Sequence, residues 1–255
     1  MIIQKRRIEI LGCPIDNLTI DETISLIDEM ISSNTPHQHV VINVDKLLKL
    51  RNDKKLKQII SDCDIINVDG MPIVWASKIL GNPLKERITG IDLMEQLIKH
   101  SVKKGYRVYF LGAKEEVVKK VVEVYSRRYP NLKIAGFRNG YWKFEEEEYI
   151  IKEIQKSKPD ILFLAISSPT KEFFLKKFLN IMNVPFVMGV GGSFDVVAGV
   201  TKRAPLFMQK YGLEWFFRFI QEPKRMWKRY IIGNSVFICL IFKELLKKIF
   251  KKRLH

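Results

Sequence analysis

Five short apolar runs alternate with longer amphipathic stretches between residues 39 and 200, and this alternation restricts the fold more than any other feature of the chain. The runs are rich in Val, Ile and Phe, as strands that are buried on both faces of a sheet require. The stretches between them repeat apolar residues at helical spacing, for example Val117, Val118 and Val121. The pattern predicts an α/β fold: a doubly wound, mostly parallel sheet with helices on both faces. The runs are His39–Val44, Asp64–Val68, Arg107–Leu111, Ile161–Ile166 and Pro185–Val190.

Positive charge is concentrated at the end of the chain. The net charge is +16, and residues 201–255 hold 14 Lys and Arg against 3 Asp and Glu. We therefore expect an α/β catalytic domain over residues 1–200 and a basic, aromatic-rich helical appendage over 201–255. A local basic excess indicates a polyanionic partner, which is either nucleic acid or an anionic membrane surface.

The last 25 residues favour the membrane. The apolar run Ile231–Phe242 is shorter than the roughly 17–25 residues that a helix needs to cross a bilayer. The segment Lys243–His255 is predicted to be a helix with an apolar face and a basic face, which is typical of helices that lie in a membrane interface. A basic helix packed on the domain is the alternative. The predicted apolar face consists of Leu245, Leu246, Ile249, Phe250 and Leu254.

The N-terminal residues and the cysteines indicate a cytoplasmic location. Charged residues at positions 5–7 stand where a signal peptide would continue its apolar run. The scattered cysteines Cys13, Cys63 and Cys239 match no disulfide or zinc spacing, and such thiols are typical of a reducing compartment.

Two polar residues, Asn43 and Asp69, lie where predicted strands end. Ligands of doubly wound sheets bind beyond the carboxyl ends of the strands. Asp69 precedes a turn containing Gly70 and Pro72, and a carboxylate there can accept a proton from a substrate hydroxyl. The alternative interpretation is that Asp69 caps the following helix.

The other strand ends carry glycine-rich turns or helix starts, whose backbone N–H groups bind phosphate. They predict a nucleotide site. Phe194 occupies the third glycine position of the dinucleotide fingerprint, which disfavours an NAD-type oxidoreductase, and there is no P-loop motif. The predicted nucleotide-binding residues are Gly112, Ser168, Gly189, Gly191, Gly192 and Asp195.

We expect neither a metal nor another cofactor. Asp62 and Asp64 have the spacing of a metal-binding D-x-D motif, but Asp64 begins a buried strand and Asp62 ends the preceding helix. A basic nucleic-acid-binding protein is the rival from another class. It accounts for the charge and the aromatic residues near Trp215, but not for the ordered loops after the strands, so we expect no nucleic-acid partner.

Motifs along most of the chain resemble the WecG/TagA/CpsF glycosyltransferase family. The motifs include Asn67-Val68-Asp69-Gly70, Glu86-Arg87-Ile88-Thr89-Gly90, Phe110-Leu111-Gly112, Arg203-Ala204-Pro205, Gly212-Leu213-Glu214-Trp215 and Glu222-Pro223. The resemblance implies a Rossmann-like fold and inverting, metal-independent transfer from a UDP-sugar to a polyprenyl-diphosphate-linked saccharide. It also implies a role in wall teichoic acid, enterobacterial common antigen, capsule or exopolysaccharide synthesis, peripheral to the inner face of the cell membrane. Whether copies of the chain form a homo-oligomer stays open.

The resemblance also implies roles for individual residues. Asp69 matches the proposed catalytic base, and Asn43 and Arg87 match substrate-contacting residues. The appendage residues that match cover the site and engage the membrane; they are Arg218, Arg225 and Lys228.

Two positions depart from the family pattern, and both line the presumed sugar pocket. Val41 stands where many members have Thr, and Lys171 stands where many have Gln. The donor sugar therefore stays open among N-acetylmannosamine, N-acetylmannosaminuronate and glucose types. Lys171 is predicted to bind a phosphate or a sugar carboxylate.

Overall fold

The computed structural model describes the backbone of residues 7–253 and their side chains, except those of residues 225 and 251–253. Its centre is a six-stranded parallel sheet with helices on both faces, which confirms the predicted fold class. The sheet order is β4-β3-β8-β7-β5-β6, and a separate antiparallel hairpin is formed by β1 and β2. The strands are β1 (Arg7–Ile10), β2 (Cys13–Asp16), β3 (His37–Ile42), β4 (Ile65–Val68), β5 (Arg107–Gly112), β6 (Lys133–Arg138), β7 (Ile161–Ala165) and β8 (Phe186–Gly189).

All five predicted runs form strands of this sheet, whereas β6 and the hairpin were not predicted. β6 is an edge strand whose residues are only half-buried or exposed, so its sequence lacks the continuous apolar run of a central strand. Position 136 in this strand requires glycine, because a Cβ there would lie 2.6 Å from Cε2 of Tyr109.

The helices divide between the two faces of the sheet. One face packs against α1 (Ile20–Ser32), α5 (Gly90–Lys104), α6 (Glu115–Arg128) and α9 (Ser193–Val197). The other face packs against α2 (Val44–Asn52), α3 (Lys54–Ser61), α4 (Met71–Ile79), α7 (Glu147–Ser157) and α8 (Thr170–Met182).

Alternate residues of the central strands enter opposite cores. Phe110 of β5 stacks on Tyr125 and Phe163 on one face, with ring centroids 5.7 and 5.8 Å apart. Its neighbours Tyr109 and Leu111 are buried on the other face. Because both faces are covered, nearly every residue of these strands is apolar.

The segment after residue 205 is helical. It contains α10 (Leu206–Lys210), α11 (Glu214–Gln221), α12 (Pro223–Trp227) and α13 (Gly233–Arg253). A π-helical turn, Lys228–Ile232, joins α12 to α13, so that the chain runs in one helical stretch from Pro223 to Arg253.

Helix α13 packs on the α/β core along one face. Phe237 and Ile241 are buried with the residues around α2 and α4, and Leu245 packs partly against them. The predicted apolar face is therefore divided: Leu245 faces the protein, whereas Leu246, Ile249 and Phe250 are exposed. Leu254 lies outside the described residues. No helix in the described part of the chain is long and apolar enough to cross a membrane.

Candidate functional site

Asp69 lies at the carboxyl end of β4 and lines an open cleft. Its backbone N–H donates to the carbonyl of Ile42 at 2.9 Å, which continues the β3–β4 pairing one residue beyond the strand. Helix α4 is capped by Gly70, without any side-chain cap. Asp69 is thus not the cap of α4. Its position is set by the end of β4, which it directly follows.

The cleft has one wall from the α/β core and one from the appendage. The core contributes the strand-end residues Asn43 and Asp69, together with Arg87. Helix α11 and the π-helical turn supply the opposite wall, so that the cleft is complete only when the appendage is docked. The appendage residues in the wall are Gly212, Glu214, Trp215, Arg218, Arg229, Tyr230 and Asn234.

Three guanidinium groups and a second carboxylate surround Asp69. Desolvation raises the pKa of Asp69 above the usual carboxylate value; Arg218 opposes this shift, and Glu214 reinforces it. Arg87 and Arg229 also favour the ionised carboxylate. A raised pKa makes the carboxylate a stronger proton acceptor, and the cationic neighbours favour its ionised form.

Arg87 is tied to the appendage. Its Nη1 donates to Oε2 of Glu214 at 3.2 Å. The side chains of Arg87 and Glu214 are 15% and 14% exposed. The loop that carries Arg87 is fixed beside Asp69, because the N–H of Ile88 donates to the carbonyl of Val68 at 2.8 Å. This ion pair links the appendage to the core at the edge of the cleft.

Asn43 caps α2 and faces the same cleft. Its Oδ1 accepts a hydrogen bond from the backbone N–H of Lys46 at 3.0 Å. The bond fixes the side chain at the end of β3, opposite Gly70, where its amide group forms part of the cleft wall.

A second cleft opens at the ends of β5 and β7. Five aromatic residues contribute to its walls, among them Tyr141, Trp142 and Phe173, and Lys177 also lines it. Tyr141 is 73% exposed, so one face of its ring is free to stack on a planar ligand.

None of the six predicted nucleotide residues is among the residues that line the two clefts, but Gly112 and Ser168 lie next in the chain to Ala113 and Ser167, which line the second one. Gly112 ends β5 with φ +123°, and a Cβ there would lie 2.5 Å from the backbone of Ala165, so this glycine is required for strand packing. Gly189 ends β8 in contact with Lys171, and Gly191, with φ +55°, has open space around it. Ser168 precedes α8, and Gly192 and Asp195 lie at the start of α9.

The predicted basic residues of the appendage do not all lie in the Asp69 cleft. Arg218 lines the Asp69 cleft, whereas Lys228 is exposed, with its Nζ 5.5 Å from the centroid of the Trp227 ring. Arg229, the next residue in the π-helical turn, lines the cleft instead. The side chain of Arg225 lies outside the described residues.

The two acidic residues with metal-ligand spacing, Asp62 and Asp64, each have another partner in the protein. Asp62 ends α3 and pairs with Lys176 at 3.2 Å, and Asp64 accepts from the backbone N–H of Gln38 at 2.9 Å. Within residues 7–253, wherever side chains are described, no three His, Cys, Asp or Glu residues cluster as a metal site.

Comparison with known proteins assigns the family. The profile of the glycosyl transferase WecG/TagA/CpsF family matches residues 8–251. The chain belongs to this family. Three relatives, from Bacillus subtilis, Bacillus spizizenii and Staphylococcus aureus, carry the name N-acetylglucosaminyldiphosphoundecaprenol N-acetyl-beta-D-mannosaminyltransferase.

These relatives are similar over most of their length. The Bacillus subtilis protein is 36% identical over 198 residues, which cover 78% of this chain and 76% of its own. The Bacillus spizizenii protein is 36% identical over 190 residues, or 74% and 73% of the two chains. The Staphylococcus aureus protein is 31% identical over 222 residues, or 86% and 87%. This member of the WecG/TagA/CpsF family is accordingly a glycosyltransferase.

Sequence reasoning did not select several residues of this glycosyltransferase's cleft, among them Glu214, Arg229 and Tyr230. Glu214 belongs to a family motif, so its position was marked, but its partner Arg87 is 127 residues away in the chain. A carboxylate flanked by aromatic residues in an otherwise basic appendage is the signal that could have identified it.

Proposed function

We propose that this enzyme transfers a sugar from a UDP-sugar to a polyprenyl-diphosphate-linked acceptor by a single inverting displacement, with Asp69 as the general base. The observation that carries the proposal is the position of Asp69 at a strand end, in a cleft that also contains Arg87, Arg218 and Arg229. The names of the relatives support the acceptor class, a saccharide linked to undecaprenyl diphosphate, and an N-acetylmannosamine-type donor.

The proposed reaction forms one bond and breaks one. The acceptor hydroxyl oxygen attacks the anomeric carbon from the face opposite UDP, and its proton passes to the carboxylate of Asp69. The bond from the anomeric carbon to the diphosphate oxygen breaks, and UDP leaves with the electron pair. The configuration at the anomeric carbon is thereby inverted.

Cationic side chains stabilise the leaving diphosphate in this scheme. Preorganised donors in a partly desolvated site are worth more than the same groups in water. Arg87, Arg218 and Arg229 lie in the wall of the Asp69 cleft, and guanidinium groups bind phosphate oxygens in a bidentate manner. These three residues can carry out the task that a divalent cation performs in metal-dependent enzymes, and we propose that the reaction needs no metal.

The nucleoside fits the second cleft. Its aromatic walls offer stacking surfaces for a nucleobase, and the open loop at Gly191 follows β8, between the strands of the two clefts. A donor bound in this way would place its base over β5 and β7 and its sugar toward Asp69.

A lipid-linked acceptor would approach from the appendage side. Exposed apolar residues of the appendage, among them Phe216 and Trp227, belong to the same helical segment as the appendage residues that line the Asp69 cleft. We therefore propose peripheral association with an anionic membrane, on the cytoplasmic face where the nucleotide donor is made available.

One experiment tests the reaction and its stereochemistry together. The purified enzyme is incubated with UDP-N-acetylmannosamine and an N-acetylglucosaminyl-diphosphate-lipid acceptor, with and without EDTA, and the linkage of the product is determined by NMR. A β-linked product formed at the same rate with EDTA supports the proposal. An α-linked product contradicts the single displacement, and loss of activity on chelation with recovery in Mg²⁺ contradicts metal independence.

A further inference from the structure

Three charged side chains are buried together beneath the carboxyl edge of the sheet. Lys46 in α2, Lys171 in α8 and Glu172 in α8 are each at most 6% exposed. Lys46 Nζ donates to Oε1 of Glu172 at 2.8 Å, and Lys171 Nζ lies 4.0 Å from the same oxygen. Of the two ammonium groups, that of Lys46 is thus hydrogen-bonded to the carboxylate, whereas that of Lys171 is not.

The charges of this cluster do not balance. The two lysines bring two positive charges and Glu172 one negative charge, while the nearby His39 is kept neutral because burial lowers its pKa to about 3. Asp69 is the other carboxylate that acts on Lys171, but it is shared with the arginines of the cleft. A buried charge without a close partner is strongly unfavourable, because it has lost its hydration.

The side chain of Lys171 lies at the end of β8, between the two clefts. Its carbon chain lies across the end of β8, since a Cβ on Gly189 would be 3.0 Å from Lys171 Cε and 3.2 Å from Nζ. β8 lies between β3, which carries the Asp69 cleft with β4, and β7, which carries the aromatic cleft. A ligand that reaches from one cleft to the other must pass over the end of β8.

We propose that Lys171 is a donor-recognition residue whose Nζ donates a hydrogen bond to an anionic oxygen of the donor substrate. The inference rests on the proposed function, because it takes the donor to be a UDP-sugar that bridges the two clefts. Two parts of such a donor supply this chemistry: the diphosphate, and a carboxylate on the sugar. Either would give the ammonium group of Lys171 a close anionic partner, which Glu172 does not supply because it is hydrogen-bonded to Lys46.

The proposal makes donor binding depend on pH. Burial lowers the pKa of Lys171 to about 8; Lys46 adds to this shift, and Glu172 and Asp69 oppose it. The ammonium form, which can pair with an anion, is present below this pKa and is lost as the pH rises through it. Donor affinity should therefore fall between pH 7 and 9, where the charge of the diphosphate stays constant.

The test compares three probes and three variants of the full-length enzyme. Isothermal titration calorimetry measures the dissociation constants of UDP, UDP-N-acetylmannosamine and UDP-N-acetylmannosaminuronate at pH 7 and pH 9. Lys171→Met keeps the length of the side chain without its charge, and Lys171→Gln keeps a hydrogen-bond donor. Lys176→Gln is the matched control, because Lys176 lies on the same helix but is exposed and pairs with Asp62.

We expect Lys171→Met to weaken at least one probe by ten-fold or more at pH 7 and to abolish the pH dependence, while Lys176→Gln behaves as the wild type. Equal weakening of all three probes identifies the diphosphate as the partner, and weakening of the uronate alone identifies the sugar carboxylate. Unchanged affinities in both Lys171 variants overturn the inference.

Two further results separate the possible failures. If both Lys171 variants fail to fold, the wild-type titration still decides, because affinities that do not change from pH 7 to pH 9 contradict the inference. A wild-type enzyme that binds none of the three uridine nucleotides contradicts the proposed function itself.

Discussion

At the scale of single residues, Asp69 is the group on which the proposed chemistry depends. Asp69→Asn keeps the size and most contacts of the side chain but removes its capacity to accept a proton. We expect transfer to fall by roughly 10²–10⁴-fold, the usual contribution of a general base, with UDP binding nearly unchanged. Steady-state rates and calorimetry on the same preparation check this, and wild-type turnover in the variant would remove Asp69 from the mechanism.

Glu214 should set the pH range in which Asp69 works. Burial is the main cause of the raised pKa of Asp69, and the charge of Glu214 adds to it. Glu214→Gln removes that repulsion and releases Arg87 from its ion pair, and both changes favour the ionised form of Asp69. The pKa should therefore fall, and the acidic limb of the kcat/KM profile should move to lower pH. Glu214→Asp, which keeps the charge, is the control; a limb that stays in place or rises in Glu214→Gln would contradict this role.

These two carboxylates differ in how far the sequence could predict them. Asp69 directly follows an apolar run, and the end of a parallel strand is where ligands of such sheets bind, so local context marked it as a candidate base with helix capping as the alternative, and the family motif favoured the base. Its alternative role as a helix cap could be settled only by the structure, where Gly70 caps α4. Glu214 contributes through a partner 127 residues away, and no pattern within its own segment contains that information.

At the scale of elements, the π-helical turn decides which basic residue reaches the cleft. A π-helical turn closes i→i+5 hydrogen bonds, and it changes the direction of side chains relative to an α-helix. In this turn Arg229 lines the cleft and Lys228 points to solvent. The sequence predicted the basic segment but could not place it to within one residue, since the turn depends on packing.

Alanine substitutions at these adjacent positions should therefore differ. Arg229→Ala removes a guanidinium group beside Asp69, and we expect kcat/KM to fall by about ten-fold or more, because charge-assisted hydrogen bonds to a leaving diphosphate are lost. Lys228→Ala should change it less than two-fold. Melting temperatures of the two variants should agree within a few degrees. A larger loss of activity in Lys228→Ala would show that the turn has a different register.

At the scale of the whole molecule, α13 carries two apolar stripes that the sequence could not separate. The sequence shows which residues of this helix are apolar, but the structure divides them into two adjacent stripes. Phe237, Ile241 and Leu245 pack on the core, and the neighbouring stripe remains exposed. The exposed stripe consists of Ile238, Phe242, Leu246, Ile249 and Phe250. Both stripes are apolar at helical spacing, so only the position of the core distinguishes them.

The exposed stripe leads to a prediction about membrane binding. Ile238 and Phe242 are 66% and 60% exposed, and basic residues such as Lys243 and Lys247 follow them. Ile238→Glu together with Phe242→Glu should release the enzyme from anionic vesicles without unfolding it, because neither side chain supports the core. Vesicle co-sedimentation and thermal melting check the two parts of this expectation. Ile181→Glu, at an exposed apolar position near the end of α8, is the matched control and should leave binding intact.

Salt should weaken membrane binding, and the apolar stripe should be required at every salt concentration. Each Lys or Arg near an anionic surface contributes about 1 kcal/mol, and this attraction is screened beyond a Debye length of about 10 Å at 0.1 M salt. Wild-type binding should therefore decrease as salt rises, whereas the double Glu variant should stay unbound even at low salt, because the stripe cannot enter the interface. Binding of the variant at low salt equal to that of the wild type would mean that charge alone holds the enzyme. In that case the exposed stripe of α13 would have to face something other than lipid.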